Sequence, residues 1–431
     1  MKRTMWRVLA PAGLLVPIFA YGCDEFSVDR AESPSAEDAG PVHPMPPGDD
    51  GTDAGTTPTD MDASSAGLAD VGPVGPAMTG LHVQGNQIVN LQGAPVALHG
   101  VNRSGTEYKC VAKGSTQIFD GLSNEASIQA IASWKANAVR IPLNESCWLG
   151  NTALTTAASG PAYQQAIGAY VTLLEKYAIV PIIELHWVGP NGTLATAQQP
   201  MPDETSVDLW TSVAQYFADD TGVILEPYNE PFPGNDRDTT MAWDCWLNGC
   251  ANVAQAGLAK DAGAQTYTAV GMQALVNAIR TGEGGATPHV VLLGGVEYSN
   301  DLSAWSANEP MDPANNLGAA WHIYSNNACA SLSCWQGAPA ALAMNVPIVA
   351  TEIGERDCQG SFITPLMSFL EQTGVGYLAW SWDAYGACAP QPPPEGGAAG
   401  GSPWSLVTDY LSGTPNGGYA TTFHDHLAAT F

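Results

Sequence analysis

The sequence predicts a (β/α)₈ barrel led by a short β-hairpin. Two observations point to it. Eight short apolar runs are spread over residues 79–431, and helix-like stretches lie between them. Alternating strands and helices imply parallel strands joined by right-handed crossovers, and eight such units suit a closed barrel. The rival architecture, an open doubly wound sheet, is disfavoured because no glycine-rich phosphate loop follows the first run.

Taken in order, the chain opens with a positive segment, Lys2, Arg3 and Arg7, and then the apolar run "VLAPAGLLVPIFA". That run is short for a bilayer span and contains two prolines, so residues 1–22 read as an export leader. "AYGC" follows, resembling a bacterial lipobox with Ala20 in place of the usual leucine, which makes Cys23 the expected lipid-bearing residue. The plainer alternative is a cleaved leader with a chance cysteine; either way, export is expected. Residues 23–78 are rich in Asp, Ala, Gly, Pro, Ser and Thr and nearly lack aromatics. Such a segment cannot bury enough apolar surface to offset its ordering entropy, so an acidic disordered tether is expected. Its "DDGTDAGTTPTDMD" lacks the closing glutamate of a calcium loop.

From residue 79 the texture changes. "LHVQGNQIVNLQGAPVALHGVN" alternates apolar and polar residues around glycine turns, a hairpin leading into a strand. Strands are predicted over 96–101, 138–141, 179–185, 223–227, 289–295, 317–323, 347–353 and 376–382. Helices are predicted over 127–135, 163–177, 207–217 and 267–279. Residues 79–431 are expected to form one catalytic domain.

The net charge of −28 over 431 residues argues against nucleic acid, whose phosphates would be repelled. It suits a neutral substrate. With Cys23 set aside, eight cysteines remain, an even number in an exported chain, and the pairings open to them number about 105.

Active sites of such barrels lie at the C-terminal ends of the strands. The polar residues expected there are Arg140, His186, Trp187, Asn229, Glu230, His322, Tyr324, Glu352, Trp380 and Trp382. A buried strand has little use for a carboxylate at its mouth unless something there needs it. Two glutamates across one mouth are the equipment for cleaving a glycosidic bond: one donates a proton to the leaving oxygen, and the other attacks or activates water. Trp148, Trp187, Trp335 and Trp382 are candidates to lie flat against sugar rings, although a tryptophan is more often core.

"GVNRSGTEY", "VRIPLNESCWLG", "IIELHW", "YNEP", "WHIY", "ATEIG" and "AWSW", in that order, resemble glycoside hydrolase family 5, the cellulase family of retaining barrels. "MPD", "AGMQALV", "VLLGG" and "SLVTDYLSGTP" look like its endoglucanase-type members. The resemblance implies a retaining, endo-acting enzyme cutting β-1,4-glucan, with Glu230 as acid/base and Glu352 as nucleophile. It also implies that Asn229 meets the sugar 2-hydroxyl, that Arg140 and Tyr324 hold Glu352, and that His322 orients Glu230. His186 and Trp380 would shape the subsite at the cleavage point. A β-mannanase or β-1,3-glucanase would use the same set, and a non-catalytic carbohydrate-binding barrel is the alternative of another class. No cofactor or metal is implied, and a monomer acting on a polysaccharide or oligosaccharide is expected. A lipid on Cys23 would tether it to the cell, although a single acyl chain binds membranes only marginally.

The barrel also limits the disulfides, since neighbouring strand ends are close enough to bridge. Expected pairs are Cys110–Cys147, Cys358–Cys388, and two local loops, Cys245–Cys250 and Cys329–Cys334, all on the catalytic face. A zinc site from the local pairs is the weaker alternative. Glu226 is expected in a barrel-layer salt bridge, Glu355 and Asp357 in a loop, and His99 and Asn102 under the cleft floor. Asp383 and Tyr385 are left open.

Overall fold

The computed structural model describes residues 78–236, 239–258, 265–388 and 402–431. The leader, Cys23 and the tether up to residue 77 lie outside them. Eight parallel strands close into a barrel. They are β1 (His99–Asn102), β2 (Ala138–Asn144), β3 (Val180–Trp187), β4 (Ile224–Glu226), β5 (Val290–Gly294), β6 (Leu317–Tyr324), β7 (Ile348–Gly354) and β8 (Gly376–Ala379). Each pairs with its neighbour in sequence, and β8 closes on β1. The outer helices are α1 (Glu125–Ser133), α2 (Pro161–Lys176), α3 (Glu204–Tyr216), α4 (Met272–Gly282), α5 (Ala338–Ala343), α6 (Ile363–Thr373) and α7 (Gly417–Thr430). Between β5 and β6 a short turn, Val296–Ser299, stands in place of a crossover helix.

The helices start where the sequence offers caps. Asn124 accepts from the Ser127 amide at the start of α1, and Asp203 forms a reciprocal capping box with Ser206 at the start of α3. Such caps are worth about 1 kcal/mol each. Side chains on the outer faces of the strands pack against the helices, while the lower half of the barrel interior is filled by small and branched residues such as Ala138, Ile182, Ile224, Leu292 and Val349. The predicted hairpin is present as His82–Gln84 paired with Gln87–Val89, and its Leu81 and Ile88 plug this lower end.

One helix expectation is corrected. Residues 267–270, expected to begin the helix over 267–279, instead belong to a strand, Thr266–Val270, antiparallel to Gly249–Ala254, and α4 begins at Met272. "TYTAV" is β-branched and aromatic, which favours pleated pairing. The hairpin is tied to the loop after β3, where the Tyr267 hydroxyl donates to the Met201 carbonyl and Val270 N–H donates to Pro202 O at 2.9 Å.

The structure joins Cys110–Cys147, Cys245–Cys250, Cys329–Cys334 and Cys358–Cys388, with Cα–Cα separations of 6.3, 5.0, 5.4 and 6.1 Å. All lie in segments that follow strand C-terminal ends.

Candidate active site

Strand alternation carries the interior from apolar to charged. On β2 the inward series runs Ala138, Arg140; on β3 it runs Val180, Ile182, Glu184, His186; on β4 it runs Ile224, Glu226. Register pairs Glu184 with Glu226, and Asn102 with Arg140. Strand β7 breaks the alternation. Between Ala320↔Val349 and His322↔Glu352, β7 advances one residue more than β6, and the same irregularity recurs against β8. This bulge lets Thr351 and Glu352 both face inward, although adjacent strand residues normally point to opposite faces.

Arg140 is fully buried, and all five of its N–H donors are used. Nε and Nη2 grip the two oxygens of Glu226 at 2.8 and 2.9 Å, and Nη2 also reaches Asn229 Oδ1 at 2.8 Å. Nη1 donates to Glu352 Oε1 at 2.6 Å and to Asn102 Oδ1 at 3.0 Å. Glu226 thus forms the expected barrel-layer salt bridge. Burial by itself would raise the Glu352 pKa, but His322, Arg140 and His186 outweigh it. The Tyr324 hydroxyl adds a hydrogen bond to Oε2 at 2.5 Å, so the carboxyl sits below its usual range. An ionised, oriented carboxylate suits a nucleophile.

Glu230 retains 8% exposure against 3% for Glu352, so it is the more open of the two to the cleft. Its Oε1 lies 2.8 Å from His322 Nδ1, and Gln198 Nε2 donates to its Oε2 at 3.1 Å. Burial disfavours charge on His322, but Glu352, Glu226 and Glu230 overcome it and push its pKa up to about 9. One oxygen each of Glu230 and Glu352, together with a nitrogen of His322, lie within 4.8 Å of one another. These are the described donors that cluster closely enough to consider a cation. Arg140 donates to Glu352 and His322 lies against Glu230, so each carboxyl group has its own partner and the arrangement suits an acid–nucleophile pair.

His186 stacks on Trp380 with ring centroids 5.3 Å apart, at the mouth, and its Nδ1 lies 2.6 Å from Glu184 Oε1. Trp187 is half-buried near Tyr108. Arg140, His186, Asn229, Glu230, His322, Tyr324, Glu352 and Trp380 therefore converge.

Other candidates are corrected. Trp148 is fully buried outside the barrel, edge-on to Tyr163 and Tyr216, with Nε1 donating to Ser212 Oγ at 3.1 Å. The short helix Glu145–Leu149 after β2 turns it towards α2 and α3. Trp335 packs on Phe362 and Phe369. Trp382 packs on Trp134, because β8 ends at Ala379 and the chain turns outwards. His99 faces out onto Tyr377 and Phe431, since Leu98 takes the inward position, whereas Asn102 does lie under the cleft. Glu355 is a buried anchor, accepting from the amides of Gly360, Phe362 and Ile363 before α6. Of the two residues left open, Asp383 turns into Ser104, Ser381 and Ser405, and Tyr385 donates to Asp120.

Gln198, Thr351 and Glu184 were not picked out from the sequence. Gln198 sits in an aperiodic loop, and Thr351 faces inward only because of the bulge. The "IIELHW" spacing does place Glu184 on the same strand face as His186 and could have found it.

The model of the family described as cellulase (glycosyl hydrolase family 5) matches residues 89–386. Similar in sequence is a mannan endo-1,4-beta-mannosidase of Salipaludibacillus agaradhaerens, 25% identical over 309 residues, which cover 70% of this chain and 81% of that protein. A protein of the same name from Streptomyces lividans is 25% identical over 330 residues, covering 75% and 70%. Among solved structures, a native β-glucanase from Saccharophagus degradans matches with a TM-score of 0.56 at 17% identity, over 81% of this chain and 93% of that one, a likeness of fold alone. With the family model spanning more than half of the sequence, the chain belongs to glycosyl hydrolase family 5.

Proposed function

We propose that the protein hydrolyses β-1,4-linked hexose polymers internally and with retention, through a glycosyl-enzyme on Glu352. The observation that carries this reading is the carboxyl pair, with one oxygen of Glu230 within 4.8 Å of one of Glu352. Retaining enzymes hold the pair at about 5–5.5 Å, whereas inverting ones leave room for water at about 6.5–9.5 Å. Glu230 protonates the leaving oxygen as Glu352 attacks the anomeric carbon; Glu230 then takes a proton from the water that releases the sugar. In this reading Asn229, whose Oδ1 accepts from Arg140, meets the sugar 2-hydroxyl. Trp380 and Trp187 supply apolar faces.

Glucan is the first reading of the polymer, supported by the endoglucanase-type motifs. Mannan is the second, supported by the two mannosidases similar in sequence. The two polymers differ in the configuration of one hydroxyl at C2. The test is the product profile of the full chain on cellohexaose and mannohexaose beside Glu230→Gln, with the anomer of the first product read by NMR. Internal cleavage with retention, lost in the variant, is expected; an inverted first product would refute the double displacement. We also propose export with a lipid on Cys23, consistent with four disulfides; the mass of the mature N-terminal peptide tests it.

A further inference from the structure

A ring of side chains links the two catalytic glutamates beneath the cleft. Glu230 meets His322 Nδ1; His322 Nε2 lies 3.1 Å from Thr351 Oγ1; and Thr351 Oγ1 donates to Glu226 Oε1 at 3.2 Å. Glu226 is gripped by Arg140, which also holds Glu352. Thr351 and His322 are both fully buried. We infer that Thr351 is a positioning residue for the acid/base: its hydroxyl takes the Nε2–H of His322 and leaves Nδ1 as the nitrogen that serves Glu230.

The assignment follows from counting hydrogens. A hydroxyl has one hydrogen and two lone pairs. Glu226 is held ionised by the two-pronged grip of Arg140, so it can only accept, and the Thr351 hydrogen goes to it. The oxygen is then left to accept from His322, which requires a hydrogen on Nε2. The imidazole is thereby fixed at both ends, with Nδ1 aimed at Glu230 Oε1, and Oε2, which also accepts from Gln198 Nε2, is the oxygen that exchanges a proton with the glycosidic oxygen. The charged groups facing this ring are Glu226 of β4, Glu230 just beyond it and Glu352 of β7. Arg140 of β2 is bonded to Glu226 and Glu352. Glu226 itself is 3.8 Å from Nε2, beyond hydrogen-bond reach, so the hydroxyl is the bridge. Thr351 is held in place in turn, because Asn102 Nδ2 donates to its carbonyl at 2.9 Å and the β7 bulge turns its side chain inward.

The inference rests on the proposed acid/base role of Glu230. Its test compares Thr351→Val, which keeps the shape and removes the hydroxyl, with Thr351→Ser, which restores it. Wild type and both variants of the full chain are assayed on the hexaose that wild type cleaves and on the dinitrophenyl glycoside of the matching disaccharide, whose leaving group departs without a proton. For Thr351→Val, kcat/KM on the hexaose should fall about tenfold, the factor for one lost buried hydrogen bond. The aryl glycoside should be cut within about threefold of wild type, and Thr351→Ser should recover most of the loss. NMR of labelled histidine should show His322 titrating at lower pH in the valine variant, because its Nε2–H has lost its acceptor. Equal losses on both substrates with an unchanged His322 titration would overturn the inference. A wild type inert on every β-glycan would instead overturn the reaction on which it stands.

Discussion

Arg140→Lys isolates what the guanidinium does beyond carrying charge. Arg140 makes five hydrogen bonds of 2.6–3.0 Å to Glu226, Asn229, Glu352 and Asn102, and none of its donors is spare. A lysine keeps the positive charge but offers three donors from a single point. It cannot grip both oxygens of Glu226 and also reach Glu352, so at least two of the five bonds go. Buried hydrogen bonds to charged groups are worth about 1.5–3 kcal/mol each, giving an expected loss of about 3–6 kcal/mol. That is a large part of the roughly 5–15 kcal/mol that holds a domain folded. The assay is urea unfolding at neutral pH with disulfides intact, beside kcat/KM on the preferred hexaose. Activity should fall at least a hundredfold, about 2.7 kcal/mol, because Glu352 loses the group that aims it. A variant within 1 kcal/mol and tenfold of wild type would show, by the same scale, that charge alone suffices and refute the geometric argument.

Two further perturbations follow from the same structure. Burial opposes charge on His186 and His322, but Glu184 and Glu352, respectively foremost among their acidic neighbours, hold both folded pKa values up at about 9 against 6.5. Their contribution is complete below pH 6.5 and is lost as the pH rises through about 9, so the urea midpoint should fall across that window. A flat midpoint from about pH 6 to 10 would contradict it. The disulfides should divide by loop length. Cys110–Cys147 and Cys358–Cys388 close separations of 37 and 30 residues, and paired serine substitutions there should cost about 4 kcal/mol each. The five-residue loops of Cys245–Cys250 and Cys329–Cys334 should cost about 2. Differential unfolding of the four serine pairs checks the order, and equal losses would refute the entropic account.

The barrel was legible in the chain because strand–helix alternation is a local pattern repeated eight times, and each apolar run needs the same two-sided burial. Residues at strand mouths were legible too: Glu230 and Glu352 stand out as carboxylates at the ends of apolar segments. The hairpin over 249–254 and 266–270 was missed because its apolar residues mimic the start of α4. The tryptophans were misjudged because one ring suits a sugar face or a core equally well, and only the direction of the backbone at each position chooses. Trp380 faces the cleft, while Trp148, Trp335 and Trp382 face the helices.

By itself, then, the amino-acid sequence determined the strand count and the two glutamates at the barrel mouth, because these depend on residue type and period. Tertiary structure alone decided that Glu226 and Glu352 share one guanidinium, that Gln198 reaches Glu230, and that a single extra residue in β7 turns Thr351 towards His322. Those contacts join residues from separate strands and loops, and they exist only once the sheet has closed and its register is set.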